Sequence, residues 1–285
     1  MVKLEINPEL YENCNKCVEI CPEGILKRNG GVPEIVDNGY CMSCGHCVSI
    51  CSVSAIIHQN FSKKSIHNID PNLEVSTDHI LEILRTRRSI RSFKSNKVEK
   101  ELLEKIIDAA NFAPSAKNKQ TTKYAVVQDE HTLDAITKIT FNFMKEAIKL
   151  FNDPSFISSV DPDEAKIFST IKPSYAHIVN AYEQGNDMIL HNAPVLLFFY
   201  AKKGALSAEV NANLALHNAA LMSAGIGLGS FYAGYITGAS SRTEYIGKLL
   251  NIPDNHEIHA VLAIGYPKFQ FKQWMDKKQP VIKWI

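Results

Sequence analysis

Cysteine carries the most specific chemistry in this sequence. The chain reads Cys14-x-x-Cys17-x-x-x-Cys21-Pro22, then Cys41-x-x-Cys44-x-x-Cys47-x-x-x-Cys51. All seven cysteines of the 285 residues fall in this stretch. Disulfides would be spread over the segments they join, and an odd count would leave one thiol over. A tight cluster instead reads as thiolate ligands for metal. Paired Cys-x-x-Cys units also bind zinc. A run of four cysteines at 2-2-3 spacing, however, suits one tetrahedral ion poorly and suits an iron–sulfur cluster well.

The two runs are a repeat. Cys14, Cys17 and Cys21 align on Cys44, Cys47 and Cys51, which leaves Tyr11 opposite Cys41. With CPEGI and CSVSAI, residues 1 to about 60 closely resemble bacterial two-cluster ferredoxins, in which the last cysteine of each run crosses to the other cluster. The resemblance implies one 4Fe-4S cluster on Cys41, Cys44, Cys47 and Cys21. It implies a second on Cys14, Cys17 and Cys51, with Tyr11 in the fourth place. A phenol, with a pKa near 10, ligates iron only if the metal lowers that value substantially. Three outcomes stay open: a 3Fe-4S cluster, a 4Fe-4S cluster with tyrosinate or solvent at one iron, or no cluster. Tyr11 as a plain apolar cover is the bland alternative. A cluster on three cysteines is the expectation, its iron count undecided. Ser52, where proline often stands, is a minor departure.

A second stretch with chemistry is LRTRRSIRSF, residues 84–93. Helical periodicity stops near Thr86, and an extended continuation puts Arg87, Ser89 and Arg91 on one face. Two guanidiniums and a hydroxyl suit a phosphate or an electron-rich ring edge. Taken alone, four arginines would more simply be a solvated positive run.

The elements that must position these residues divide near residue 60. Before it lie short segments of acidic balance, and NFSKKSIHNIDPNLEVST follows as a polar linker. The expected organisation is a domain over 1–60, a linker over 61–77 and a second domain over 78–285. Helical periodicity marks residues 80–84 and VEKELLEKIIDAA, while KYAVVQD, APVLLFFYA and HAVLAIGYP read as strands. VNANLALHNAALMSAG is apolar round most of its circumference, which places it in the core or at a subunit interface. His217 within it reads as a satisfied core or interface residue. Residues 148–180 lack strong periodicity. The second domain is therefore mixed α and β. A net charge of +1 gives no electrostatic reason to expect nucleic acid or a membrane surface as partner. No apolar run is long enough to span a bilayer, and the first residues lack a signal core. A soluble, cytoplasmic protein is expected.

From about residue 78 the chain resembles the FMN-dependent nitroreductase superfamily, in its subgroup with a fused ferredoxin domain. RRSIRSF, AANFAPSAKNKQ, GNDMILHNAPVLLFF, LMSAGIGLGSFYAG and LAIGYP follow that family's motifs in order. The resemblance implies an α+β architecture: a small ferredoxin-like domain, then an α/β sandwich on a mostly antiparallel sheet, with FMN at each interface of a homodimer. It gives Arg87, Arg88, Ser89 and Arg91 to FMN from one subunit and Pro114, Ser115, Ala116 and Asn118 from the other. It sets the backbone of Ala233 and Gly234 near flavin N5, and Lys277 on the phosphate. Residues 148–180 become a helical insertion covering the flavin. Thr121 and Thr122 depart from the family's Gln-Pro-Trp and alter the pocket wall. The glycine run GIGLG could otherwise merely let a helix pack closely.

The activity implied is an oxidoreductase passing electrons from the clusters, or from NAD(P)H, through FMN to a nitroaromatic, quinone or activated alkene. No side chain is assigned obligatory acid–base work. Reduced ferredoxin or flavodoxin is an equally consistent donor. The alternative is an electron-transfer or redox-sensing protein without a dedicated small-molecule substrate. A zinc-binding adaptor is a third reading, and no G-x-S-x-G elbow supports a hydrolase.

Overall fold

Ligand cysteines set three residues apart leave room only for short elements, and the N-terminal stretch folds into such elements. In the computed structural model, which describes residues 2–285, these are β1 (Leu4–Ile6), α1 (Lys16–Ile20), β2 (Leu26–Lys27), β3 (Glu34–Ile35), α2 (His46–Ser49) and β4 (Ile56–His58). β1 pairs antiparallel with β4, Leu4 opposite His58, and β2 pairs with β3. Leu4, Cys17, Ile25, Leu26 and Ile56 form the core, with Tyr11, Cys21, Cys41, Cys47 and Cys51 packed against it.

The backbone carries the repeat as well as the sequence does. Asn13, Asn15 and Gly24 have positive φ, and so do Ser43, Gly45 and Ser54, each thirty residues later (13 to 43, 15 to 45, 24 to 54). The same offset separates Tyr11 from Cys41. Left-handed residues on both sides of Cys14 and of Cys44 turn the chain tightly enough to bring ligands three apart to one side. By contact, this first unit holds the chain up to Val75 together with Ser115–Lys119.

The second unit, Ser76–Pro114 and Gln120–Ile285, carries α3 (Thr77–Thr86), α4 (Lys100–Asn111), β5 (Lys123–Val127), α5 (Glu130–Phe151), α6 (Pro154–Ser159) and α7 (Pro162–Glu183). It continues with β6 (Val195–Lys202), α8 (Ala208–Gly225), β7 (Gly229–Tyr232), α9 (Gly234–Arg242), α10 (Tyr245–Leu249) and β8 (His256–Gly265). The sheet runs β5-β6-β8-β7 with every neighbouring pair antiparallel. β6 and β8 are central and apolar without alternation, because both their faces are covered. Leu196, Phe198, Val261 and Ala263 face a core built with α5, α7 and α9. Val195, Leu197, Phe199, Ala260, Leu262 and Ile264 face one built with α4 and α8. The result is the expected α/β sandwich on an antiparallel sheet.

Three local expectations gain detail. Residues 148–180 are helical and enter the core: Phe168, Tyr175, Ile178 and Val179 of α7 are buried, and Phe151 stacks on Phe168 at 4.6 Å. α8 buries one face through Ala212, Ala215, Leu216 and Ala219, while Val210 and Leu214 are exposed within the chain. His217 lies on that exposed side, not in the core, and its Nδ1 is 3.0 Å from the Tyr232 hydroxyl. Finally, the glycine run serves a strand: Gly227, at φ +81°, turns α8 into β7, and Gly229 lets Ile90 approach β7.

Candidate functional site

Cys21, Cys41, Cys44 and Cys47 border one small cavity whose wall also includes Pro22, Ile25, Leu26 and His58. These are the four cysteines of the crossed set. Burial pushes the Cys47 thiol up to about 11, with the neighbouring Cys44 next in effect. Such a thiol gives up its proton readily to a metal that repays its desolvation. Four sulfurs around an apolar-walled cavity fit a polynuclear cluster.

On the other side of the repeat Cys17 is buried, Cys51 half-buried and Cys14 exposed. The Ala55 N–H donates to Cys51 Sγ at 3.2 Å. Tyr11 is occupied: its hydroxyl donates to Asn15 Oδ1 at 3.2 Å and accepts from the Asn15 N–H at 3.1 Å. Burial, outweighing the Asn15 amide, raises its pKa, and Cys17 and Cys14 add to the rise. Both observations favour a neutral phenol.

The arginine stretch is extended after α3 because both its edges are hydrogen-bonded. The Ile90 N–H donates to Ser230 O at 3.0 Å, Lys94 N–H to Tyr266 O at 2.9 Å, and Lys268 N–H to Ser92 O at 2.9 Å. Ser89 bridges Ser230, and Phe93 bridges Pro267. Ile90 thus turns toward β7, and its neighbours turn away from it. Arg87, Arg88, Ser89 and Arg91 line a cavity of about 480 Å³ that Lys277 reaches from the segment after β8. Arg85 adds a fifth cation, and Asp276 is the one carboxylate in the wall. Such a wall suits a multiply charged anion.

Sequence reasoning missed what holds the tail there. Arg85 lies over Trp274, 5.0 Å from the ring centre, and Arg88 over Phe271 at 5.5 Å. These cation–π contacts fix the segment that delivers Lys277. The aromatic spacing in FQFKQW, next to a basic stretch, was the available signal. Arg91 stands over Phe231 at 5.6 Å, and His191 meets the same ring edge-on at 5.5 Å. Burial lowers the pKa of His191, Arg91 lowers it further, and Asp187 opposes them. Asp187 accepts backbone N–H bonds from Ile189, Leu190 and Asn192, which shapes this loop.

The remaining predicted residues lie elsewhere. Ala233 is buried at the start of α9, its N–H donating to Val261 O at 2.9 Å. Gly234 beside it is exposed, and a Cβ there would meet nothing within 4 Å. Pro114 ends the α4 loop, while Ser115, Ala116 and Asn118 belong to the first unit. There Asn118 Nδ2 donates to Ser43 O at 2.7 Å. The Thr121 hydroxyl is buried without a hydrogen-bond partner. No helix among the described residues is long and apolar enough to cross a membrane.

The model of the Nitroreductase family matches residues 84–266, well over half the chain. The chain belongs to this family. As a nitroreductase-family protein it is an oxidoreductase of the nitroreductase type. Residues 3–52 match a 4Fe-4S dicluster domain. A relative in Methanothermobacter thermautotrophicus, provisionally named NADH dehydrogenase/NAD(P)H nitroreductase, is 26% identical over 194 residues, covering 68% of this chain and 80% of its own. A protein of Hydrogenibacillus schlegelii named Ferredoxin 7Fe is 40% identical over 45 residues, covering 16% of this chain and 56% of its own. The solved structure of an FMN-bound nitroreductase from Desulfitobacterium hafniense superposes with a TM-score of 0.53 at 19% identity, over 71% of this chain and 97% of that one. At that identity the likeness is one of fold. Of the family motifs, RRSIRSF and the glycine-rich segment meet where the arginine stretch lies along β7.

Proposed function

We propose that this protein is an iron–sulfur flavoprotein that passes electrons between two clusters and FMN and delivers them to an organic acceptor. The observation that carries this reading is the cavity of about 480 Å³ into which Arg87, Arg88, Ser89, Arg91 and Lys277 converge. Its volume falls in the range of cofactor sites, and its cations match a phosphate and the electron-rich edge of an isoalloxazine. Bound FMN supplies exchange between one-electron and two-electron carriers. The chain's own groups bind and orient it. Arg87, Arg88 and Lys277 hold the phosphate end. Arg91 would serve the N1/O2 edge, where positive charge favours the reduced flavin. Pro114, Ser115, Ala116 and Asn118 serve the FMN of a partner subunit, and the open Gly234 backbone with Ala233 leaves room beside N5. The exposed α8 face with Val210 and Leu214 supports a homodimer.

Cys21, Cys41, Cys44 and Cys47 hold a four-iron cluster. Cys14, Cys17 and Cys51 hold a three-iron one, supported by the occupied Tyr11 hydroxyl and by a relative whose name counts seven irons. A nitroaromatic, quinone or activated alkene is the acceptor class, and a nicotinamide or a reduced ferredoxin or flavodoxin the donor class. The test is iron, sulfide and FMN per chain on anaerobically prepared protein, followed by turnover with an acceptor panel. Seven irons and one FMN are expected. Arg87→Ala weakens FMN binding about tenfold to a hundredfold, as loss of a charge-assisted bond of about 1.5–3 kcal/mol requires. Unchanged FMN affinity in that variant would sink the site assignment. A redox-sensing role is the second reading, favoured by the exposure of Cys14. It gains if no acceptor oxidises the reduced flavin faster than buffer does.

A further inference from the structure

Cys41 has a partner outside the ligand set. His58 ends β4 on its buried face and is only 3% exposed. Its Nε2 lies 3.5 Å from Cys41 Sγ. At the other edge of the ring, the Asn60 backbone N–H donates to Nδ1 at 3.1 Å. A peptide N–H can only donate, so Nδ1 presents its lone pair. The neutral ring then carries its single proton on Nε2, aimed at sulfur. The turn that fixes this tautomer is itself fixed. The Phe61 N–H donates to His58 O at 3.0 Å. The two rings pack at 4.9 Å, and Phe61 closes over Gly45 so tightly that a Cβ there would lie 3.2 Å from its ring. The Asn60 side chain donates to Ser43 Oγ at 2.8 Å, inside the ligand loop.

We propose that His58 donates an N–H···S hydrogen bond to the cluster ligand Cys41 and thereby sets the reduction potential of the cluster on Cys21, Cys41, Cys44 and Cys47. The inference rests on the reading that these cysteines hold a cluster. An added electron spreads onto the ligand sulfurs, and a donor at one of them stabilises the more negative, reduced state. The apolar wall of Pro22, Ile25 and Leu26 keeps the local dielectric low and strengthens that bond. His58 is a positioning residue: it keeps its proton, and the electron comes from a one-electron reductant. The His58 contact is with Cys41, while Cys51 of the other site has a peptide donor, Ala55, so the bias falls on the cluster that Cys41 ligates.

The test is an EPR-monitored redox titration of the full chain and of His58→Phe, which keeps an aromatic ring and removes the donor. The four-iron cluster should become about tenfold harder to reduce, a fall of about 59 mV for a one-electron couple. The three-iron signal should not move. His58→Gln, which restores an N–H, should recover part of the loss. A second measurement needs no change at position 58. Full-length protein carrying ¹⁵N-histidine, reduced with dithionite, should show one ¹⁵N hyperfine coupling to that cluster, retained in His46→Asn. An unmoved potential in His58→Phe, or no ¹⁵N coupling, would overturn the proposal and leave the cluster reading intact. Absence of a four-iron signal from the parent protein overturns both.

Discussion

Tyr11 is the side chain on which the proposed three-iron content of its site turns. It stands where the repeat places a thiolate, thirty residues before Cys41, and its hydroxyl is already paired with Asn15. Tyr11→Cys should therefore raise the iron content by one per chain and replace the three-iron EPR signal with a second four-iron signal. Iron analysis and EPR on anaerobic protein check this, and unchanged iron would mean that Tyr11 was not what limited the site. His191 carries a different consequence. Its folded-state pKa is lowered by burial and by Arg91, so below about pH 6.5, the ordinary imidazole value, the unfolded chain takes up a proton that the folded chain refuses. Stability is complete above that pH and falls as the pH drops toward the folded value. Denaturant midpoints should decline from pH 7.5 to pH 5.5, and His191→Gln should flatten the decline. An equally steep decline in the variant would assign it to other groups, such as His58, whose pKa burial also lowers.

At the scale of elements, the cationic cavity depends on how closely the arginine stretch sits on β7. A Cβ on Gly229 would lie 2.8 Å from three side-chain atoms of Ile90, and that contact fixes which neighbours turn toward the cavity. Gly229→Ala should cost about 1–3 kcal/mol, the usual range for overpacking. FMN affinity should fall with it, because Ser89 and Arg91 shift together. Ile90→Ala in the same chain should restore part of both, since two of the three crowded atoms are removed. Urea unfolding and flavin titration measure the two effects. If stability falls and FMN affinity does not, the stretch is not what shapes the cavity. Much of this was legible from types and spacing: the end of α3 at Thr86, the alternation after it, and the buried strands β6 and β8. β7 was not. It is four residues long and glycine-bounded, and its partner β8 lies some thirty residues away in sequence, so no local period announces it.

For the whole molecule, α8 is the element whose two faces need different explanations. One face packs in the core, while Val210 and Leu214 on the other are 60% and 41% exposed in the single chain. The proposed homodimer, seated on that face, would account for apolar residues all round the helix. Leu214→Glu would bury a charge there and should shift the sedimenting species toward one chain, 31.8 kDa, with loss of FMN. An unshifted dimer would place the interface elsewhere.

The amino-acid sequence by itself determined the ferredoxin-type cysteine repeat, the α+β architecture and the family, because each is written in residue type and short-range spacing. Seven cysteines at ferredoxin spacing, and arginines alternating where a helix stops, need no tertiary information to be read. Only the tertiary structure decided what converges from afar. Lys277 reaches the arginines because Trp274 and Phe271 are held by cations nearly two hundred residues earlier in the chain. His58 faces Cys41 because β4 pairs with β1 and a turn fixes its tautomer. Both depend on long-range packing and on the direction in which one polar atom points, and neither property has a period along the chain.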